Sequence, residues 1–369
     1  MGHIFLSFLL FNVILLIFYN HYKRGHYYIK KSNLIFYTIL LIAFGTYGTG
    51  EGDYLHYKES VALFESMFDV VRYNGMEIQY NYLAYILGGN YTLWRLVIFS
   101  IQFIGMSWLL YKAKLNTYPV FLSIVAICLL LYTYQRSYWG VIFYFLGMYL
   151  LLEKKNPLFL IIIALCYVSH TQNIILLALL PLCFVNIKRW EMLLAIVLIG
   201  TIAALFKDYF TGFIDAGGID SEEADYLNNK VSRYGEGGTN FFGSSIGEYA
   251  VFIMRYVPLA LIVLSWIKMI FENRKKYLSF DKPYRGVMNV AIGLTIASVV
   301  ILVSDIGAGI FFYRVLAMVL FPVALLLPYM VEKGVIKKIA FNRYILIYII
   351  CAELNYVKDL YYAYVHGVS

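Results

Sequence analysis

Charge is scarce in this chain. Asp, Glu, Lys and Arg make up 14% of its 369 residues while 62% are hydrophobic, a balance that excludes a soluble globule. The solvent for most of this sequence is lipid. Cysteine is sparse too: Cys128, Cys166, Cys183 and Cys351 all fall inside apolar runs without metal-ligand spacing or a paired framework, and read as small core residues. A phosphate-binding glycine loop, a His-Glu-x-x-His helix and a zinc ligand set are all missing, so soluble-nucleotide chemistry on the cytoplasmic side has no residues to support it. The glycine-rich stretch before Glu51 ends an apolar run with no strand ahead of it, and is a turn. No internal repeat of the kind common in transporters is evident.

What the chain has in quantity is aromatic side chain and long apolar runs. Its 36 Tyr and 27 Phe suit membrane-interface belts and packing. The net charge is +8, but the basic residues form short clusters between apolar spans instead of one stripe, which argues against a nucleic-acid partner. Apolar segments run over about 2–20, 33–48, 92–111, 118–133, 137–152, 190–206, 246–268, 286–304, 310–330 and 343–362. The first resembles a signal-peptide core, yet no small-residue cleavage site follows it, so it is read as a retained span.

The stretch from Pro157 to Asn186 is long for one span and short for two, and Ser169-His170-Thr171-Gln172 interrupts its middle. Counting it as two keeps Lys23-Arg24, Lys30-Lys31, Lys154-Lys155, Lys188-Arg189, Arg274 to Lys276 and Lys337-Lys338 on one side, as the positive-inside rule requires. The expected fold is therefore all-α: a polytopic integral membrane protein of about 12 transmembrane helices, forming a single transmembrane domain over residues 1–369. Two larger outer-face loops are expected, at about 49–91 and 207–245. The first holds Glu51, Asp53, Glu59, Glu65, Asp69 and Glu77, with Tyr80 to Leu87 as a half-helix dipping back. In the second, Asp220-Ser221-Glu222-Glu223 reads as the start of a helix closed by Gly235, with Ala224, Leu227, Val231 and Tyr234 on one face. That helix lies across the outer mouth, as packing or as a lid hinged at Gly217-Gly218 and Gly237-Gly238.

Arg136, His170, Arg255 and Arg314 sit in or beside apolar runs, where an ionisable group is costly unless something pairs with it. The acid nearest to Arg136 in sequence is Glu153. A bound anion is thus a candidate partner. The topology puts Arg95, Arg136, His170, Asp305 and Arg314 at outer span ends, Arg255 about three turns in, and Asp53 and His56 just beyond the second span. Arginine stays charged at any accessible pH and offers a planar fork that fits phosphate oxygens, so an outward cavity lined by Arg136, Arg255 and Arg314 suits a lipid pyrophosphate. Asp53 is a candidate general base towards a sugar hydroxyl, with Glu51 and Glu77 as runners-up.

Plainer roles compete. Arg95 after Trp94 also suits snorkelling to headgroups, Arg136 an interface anchor, and Asp305 a counter-charge for Arg314. A lone histidine often only satisfies a local hydrogen bond, and six acids in one loop also make a solvated surface.

The order of these elements resembles the bacterial repeat-unit polymerases, the Wzy and EpsG type of O-antigen, capsule and exopolysaccharide assembly. Gly52-Asp53-Tyr54-Leu55-His56-Tyr57 resembles the acidic, tyrosine-bearing start of that family's first large outer loop. Gln135-Arg136-Ser137-Tyr138 through Leu152-Glu153-Lys154-Lys155 and on to Ser169-His170 resembles its succession of arginine, lysine pair and histidine, and Tyr313-Arg314 its late arginine. The resemblance covers about residues 45–328. It implies glycosyl transfer that extends an undecaprenyl-pyrophosphate-linked oligosaccharide at the outer face of the bacterial inner membrane, with neither metal nor cofactor. Implied partners are that lipid-linked glycan, the bilayer, a chain-length regulator and a flippase. Asp53 and His170 are the expected catalytic residues, Arg136, Arg255 and Arg314 the expected pyrophosphate ligands, and Glu51, His56, Arg95 and Asp305 secondary candidates. Two other readings remain open: a membrane glycosyltransferase using a lipid-phosphate sugar, and a flippase for the lipid-linked unit.

Overall fold

A computed structural model of the chain describes residues 2–25, 27–47, 53–64, 77–130, 137–170, 173–185, 266, 268–269, 276, 279–303, 315 and 317–365. Among them are twelve α-helices and no strand; one isolated bridge joins Tyr28 to Thr117. The helices are α1 (Gly2–Lys23), α2 (Lys31–Tyr47), α3 (Asp53–Ala62), α4 (Ile78–Ile86), α5 (Tyr91–Lys112) and α6 (Tyr118–Leu130). They continue as α7 (Ser137–Lys154), α8 (Phe159–Ser169), α9 (Ile174–Leu179, prolonged by a 3-10 turn over Leu180–Phe184), α10 (Lys282–Val303), α11 (Leu320–Glu332) and α12 (Lys338–Val365). The expected segments 190–206, most of 246–268, and the loop 207–245 with its proposed helix lie outside the described residues.

Helix α5 shows how the sequence sets these elements. Gly88 and Gly89, both at positive φ, turn the chain, and the Asn90 side chain then accepts the Leu93 N–H at 3.1 Å as an N-cap. The 22 residues that follow are long and apolar enough to cross a bilayer, and among the described residues α5 is the one helix that combines both properties. Its outward face carries Leu93, Leu96, Ile101, Ile104 and Trp108, while Arg95, Gln102 and Ser107 are buried. A helix that is apolar outside and places its polar residues inside is built to face lipid. Inside, Ser107 Oγ lies 2.6 Å from Thr38 Oγ1 of α2, satisfying both hydroxyls across the interface.

Helix α7 occupies the centre, in contact with α5, α8, α10 and α11, while α6 packs against α1, α11 and α12. Glycines permit the closest approaches. A Cβ on Gly140 of α7 would overlap Ser169 Oγ of α8, and one on Gly147 would sit 3.2 Å from Ile162 and Ile163, so the two helices run antiparallel. Gly286, near the start of α10, meets Leu152 and Cys183. Tyr138, near the start of α7, has its ring 5.7 Å from that of Phe321 on α11. These contacts give the bundle two unlike ends. One gathers Lys154, Lys282, Arg285, Lys333 and Lys338; the other gathers Tyr80, Tyr91, Trp94, Tyr138 and Trp139.

The interrupted segment at 157–186 folds as two short limbs. Helix α8 has 11 residues, and α9 with its 3-10 turn has six and five. Each limb is roughly 17–19 Å long at the rise of these helices, well short of a hydrocarbon core of ~30 Å. Backbone outside regular helix is tolerated at such depth where protein covers it. Here α10 does so: Asn289 Nδ2 donates to the Leu182 carbonyl at 3.1 Å and also to that of Val185.

Candidate active site at the aromatic end

Helix α8 stops where side chains take over its last carbonyls. The Cys166 carbonyl accepts from Asn173 Nδ2 at 3.0 Å and from Ser169 Oγ at 2.7 Å. Gln79 Nε2 donates to the Val168 carbonyl, and Tyr80 Oη donates to that of Ser169 at 2.6 Å. These are the groups a helix leaves unpaired at its C-terminus, and here α4 and Asn173 satisfy them. His170 can then leave the helix in an extended conformation, φ −165° and ψ 134°. Its Nδ1 lies 3.3 Å from Glu77 Oε1, with both side chains largely enclosed at 14% and 12% exposure.

Tyr80 fixes this corner. Trp139 Nε1 of α7 donates to its Oη at 3.0 Å, and Trp94 Nε1 of α5 donates to its carbonyl at 3.2 Å. Four helices, α4, α5, α7 and α8, therefore share one hydrogen-bonded node beside the Glu77–His170 pair. A carboxylate beside Nδ1 orients the ring and fixes which nitrogen carries the proton. That is the arrangement of a general base and its orienting group.

The family model for EpsG proteins matches residues 31–366. The chain belongs to the EpsG family. No curated protein and no solved structure gives a significant match. EpsG membership makes this a membrane protein of the polysaccharide-polymerase type, with glycosyltransferase-like activity.

The positions of the expected site residues in the EpsG chain divide into four groups. His170 lies at the node. Asp53 and His56 fall in the first turn of α3, which packs on α4 and α5. Arg95 is buried at 2% exposure, drawn into the α2–α5 interface in place of snorkelling. Its Nη2 donates to the Gly45 carbonyl in the last turn of α2, and its guanidinium carbon lies 5.6 Å from the Tyr91 and Phe99 ring centres. Glu51, Arg136, Arg255, Asp305 and Arg314 lie outside the described residues. Arg136 directly precedes Ser137, the first residue of α7; Asp305 follows Val303, the last of α10; Arg314 comes shortly before α11. Each of those helix ends belongs to the aromatic end of the bundle. Gln79, Tyr80, Trp139 and Asn173 complete the node and were not anticipated. The one sequence signal for them was the polar interruption at 169–173 itself.

Proposed function

We propose that this EpsG protein polymerises lipid-linked oligosaccharide repeat units by glycosyl transfer at the aromatic end of the bundle, which faces the periplasm or exterior. An acceptor hydroxyl on one glycan attacks the anomeric carbon of a second, undecaprenyl-pyrophosphate-linked glycan. Its proton passes to His170 Nε2, or to the Asp53 carboxylate as the alternative base. The bond between the anomeric carbon and the diphosphate oxygen breaks, and the lipid diphosphate departs with the bonding electrons. Glu77 holds the His170 ring through the transfer. Arg136, Arg255 and Arg314 bind the diphosphate and offset the charge that grows on it as the bond breaks; fixed guanidinium charge supplies this without a metal.

The observation that carries this reading is the enclosed Glu77–His170 pair at a helix break, in a chain of a polymerase family. The placement of basic clusters at the other end supports the outward orientation, since cytoplasmic loops collect Lys and Arg. The test is to give the purified protein synthetic undecaprenyl-pyrophosphate repeat units and separate the products on a gel. A ladder of multiples is expected. A single-sugar increment would point to a simple lipid-phosphate transferase, and unchanged lipid that is translocated across liposomes would point to a flippase.

A further inference from the structure

A groove of about 440 Å³ runs between α1 and α12 at the basic end, with α6 behind it. Its walls are Leu15, Leu16, Leu122, Ile345, Leu346 and Ile349. Its lips are apolar as well, with Leu16 58% and Leu346 56% exposed, a surface suited to hydrocarbon. The mouth is polar and basic. Tyr22 Oη donates to Asn342 Oδ1 at 3.2 Å, Lys338 Nζ sits 5.1 Å from the Tyr22 ring centre, and Arg343 lines the same opening. From Tyr22 at the mouth to Asn12 at the far end is ten residues of α1, or about 15 Å. That depth is half of a hydrocarbon core of ~30 Å, the thickness of one leaflet.

From these features we infer that the α1–α12 groove is a binding site for one anionic phospholipid of the leaflet on the basic side. One acyl chain lies along Leu15, Leu346 and Ile349, and the headgroup phosphate meets Arg343 and Lys338. Charge selects the occupant. Lys23, Lys338 and Arg343 stand at or beside the mouth, and the nearby acid of α12, Glu353, lies ten residues deeper than Arg343 and bonds to Asn12. The site is separate from the proposed diphosphate site, which lies at the opposite end of the bundle, so the two readings stand or fall independently.

The test is native mass spectrometry of the full-length protein in uncharged detergent, titrated with phosphatidylglycerol and with phosphatidylcholine. One phosphatidylglycerol should bind about tenfold more tightly than phosphatidylcholine, the factor expected of a charge-assisted contact. Arg343→Gln with Lys338→Gln should remove that preference, and Leu16→Trp, which fills the groove, should weaken both lipids. Excess inorganic phosphate should leave the bound lipid in place. Equal retention of the two lipids by the wild type, unchanged preference in the double variant, displacement by phosphate, or a lipid-free dimer would each overturn the assignment.

Discussion

Tyr80 holds the aromatic end together, and the proposed function gives His170 the chemical work there. Tyr80 donates to the Ser169 carbonyl and accepts from Trp139, so Tyr80→Phe leaves a buried carbonyl and a buried indole N–H without their partner. Unmade buried hydrogen bonds of this kind cost about 1–3 kcal/mol each. The expected result is a lower unfolding temperature for the detergent-solubilised variant. His170→Ala should keep the end of α8 in place, because its carbonyls are held by other residues, and should lose the contact with Glu77. A Tyr80→Phe protein as stable as the wild type would remove the node from the account. His170 was legible in the sequence because it breaks an apolar run. Glu77 was one acid among six in its loop, and nothing local tied it to a histidine 93 residues later in the chain; the hydrogen bonds from Gln79 and Tyr80 of α4 to the last carbonyls of α8 do so.

At the scale of elements, the position of His170 depends on how closely α8 lies against α7. Gly140→Ala would drive a methyl group into Ser169 Oγ and to 2.8 Å from the Cys166 Cα, and overpacking of this kind costs about 1–3 kcal/mol. At Gly147 the neighbours stand at 3.2–3.4 Å. Gly140→Ala should therefore lower both thermal stability and polymer yield more than Gly147→Ala, as read by unfolding and by product gels. The reverse order would mean that the α7–α8 contact does not position the histidine.

The basic end has a tie of its own. Tyr27 Oη donates to Glu332 Oε2 at 3.2 Å, and burial together with that carboxylate pushes the phenol up from 10.0 to about 12. A folded-state value above the unfolded one stabilises the fold fully below pH 10 and loses that contribution as the pH rises towards 12. Unfolding measured across that window should show a loss in the wild type that Tyr27→Phe lacks. The helix positions were largely readable from apolar runs, with α1, α2, α5, α6, α7 and α10 starting and ending close to expectation. The short limbs α8 and α9 were not, because what lets them be short is cover from α10, including Asn289, more than 100 residues away in the sequence.

For the whole molecule, two unlike ends are the main result. Arg95 and His170 lie near helix ends at the aromatic end, while Arg136, Asp305 and Arg314 fall outside the described residues. The depth of Arg95 was not foreseeable, since a residue flanked by Trp94 reads as an interface anchor until α2 is seen to cover it. The same orientation predicts that a single cysteine placed at Ser221, in a protein whose four native cysteines are replaced, reacts with a membrane-impermeant maleimide added from outside. Labelling only after the membrane is opened would invert the molecule.

The central claim is that Glu77 and His170 act together on the acceptor hydroxyl while arginines hold the diphosphate. Its most direct measurement is the rate of ladder formation from synthetic lipid-pyrophosphate units by purified wild type, His170→Ala, Glu77→Gln, Arg136→Ala and Arg314→Ala, each first shown to be folded. The account predicts a loss of about 10²–10⁴-fold for His170→Ala, the usual worth of a general base, a smaller loss for Glu77→Gln, and no ladder from either arginine variant. Wild-type rates in His170→Ala and Glu77→Gln would contradict it.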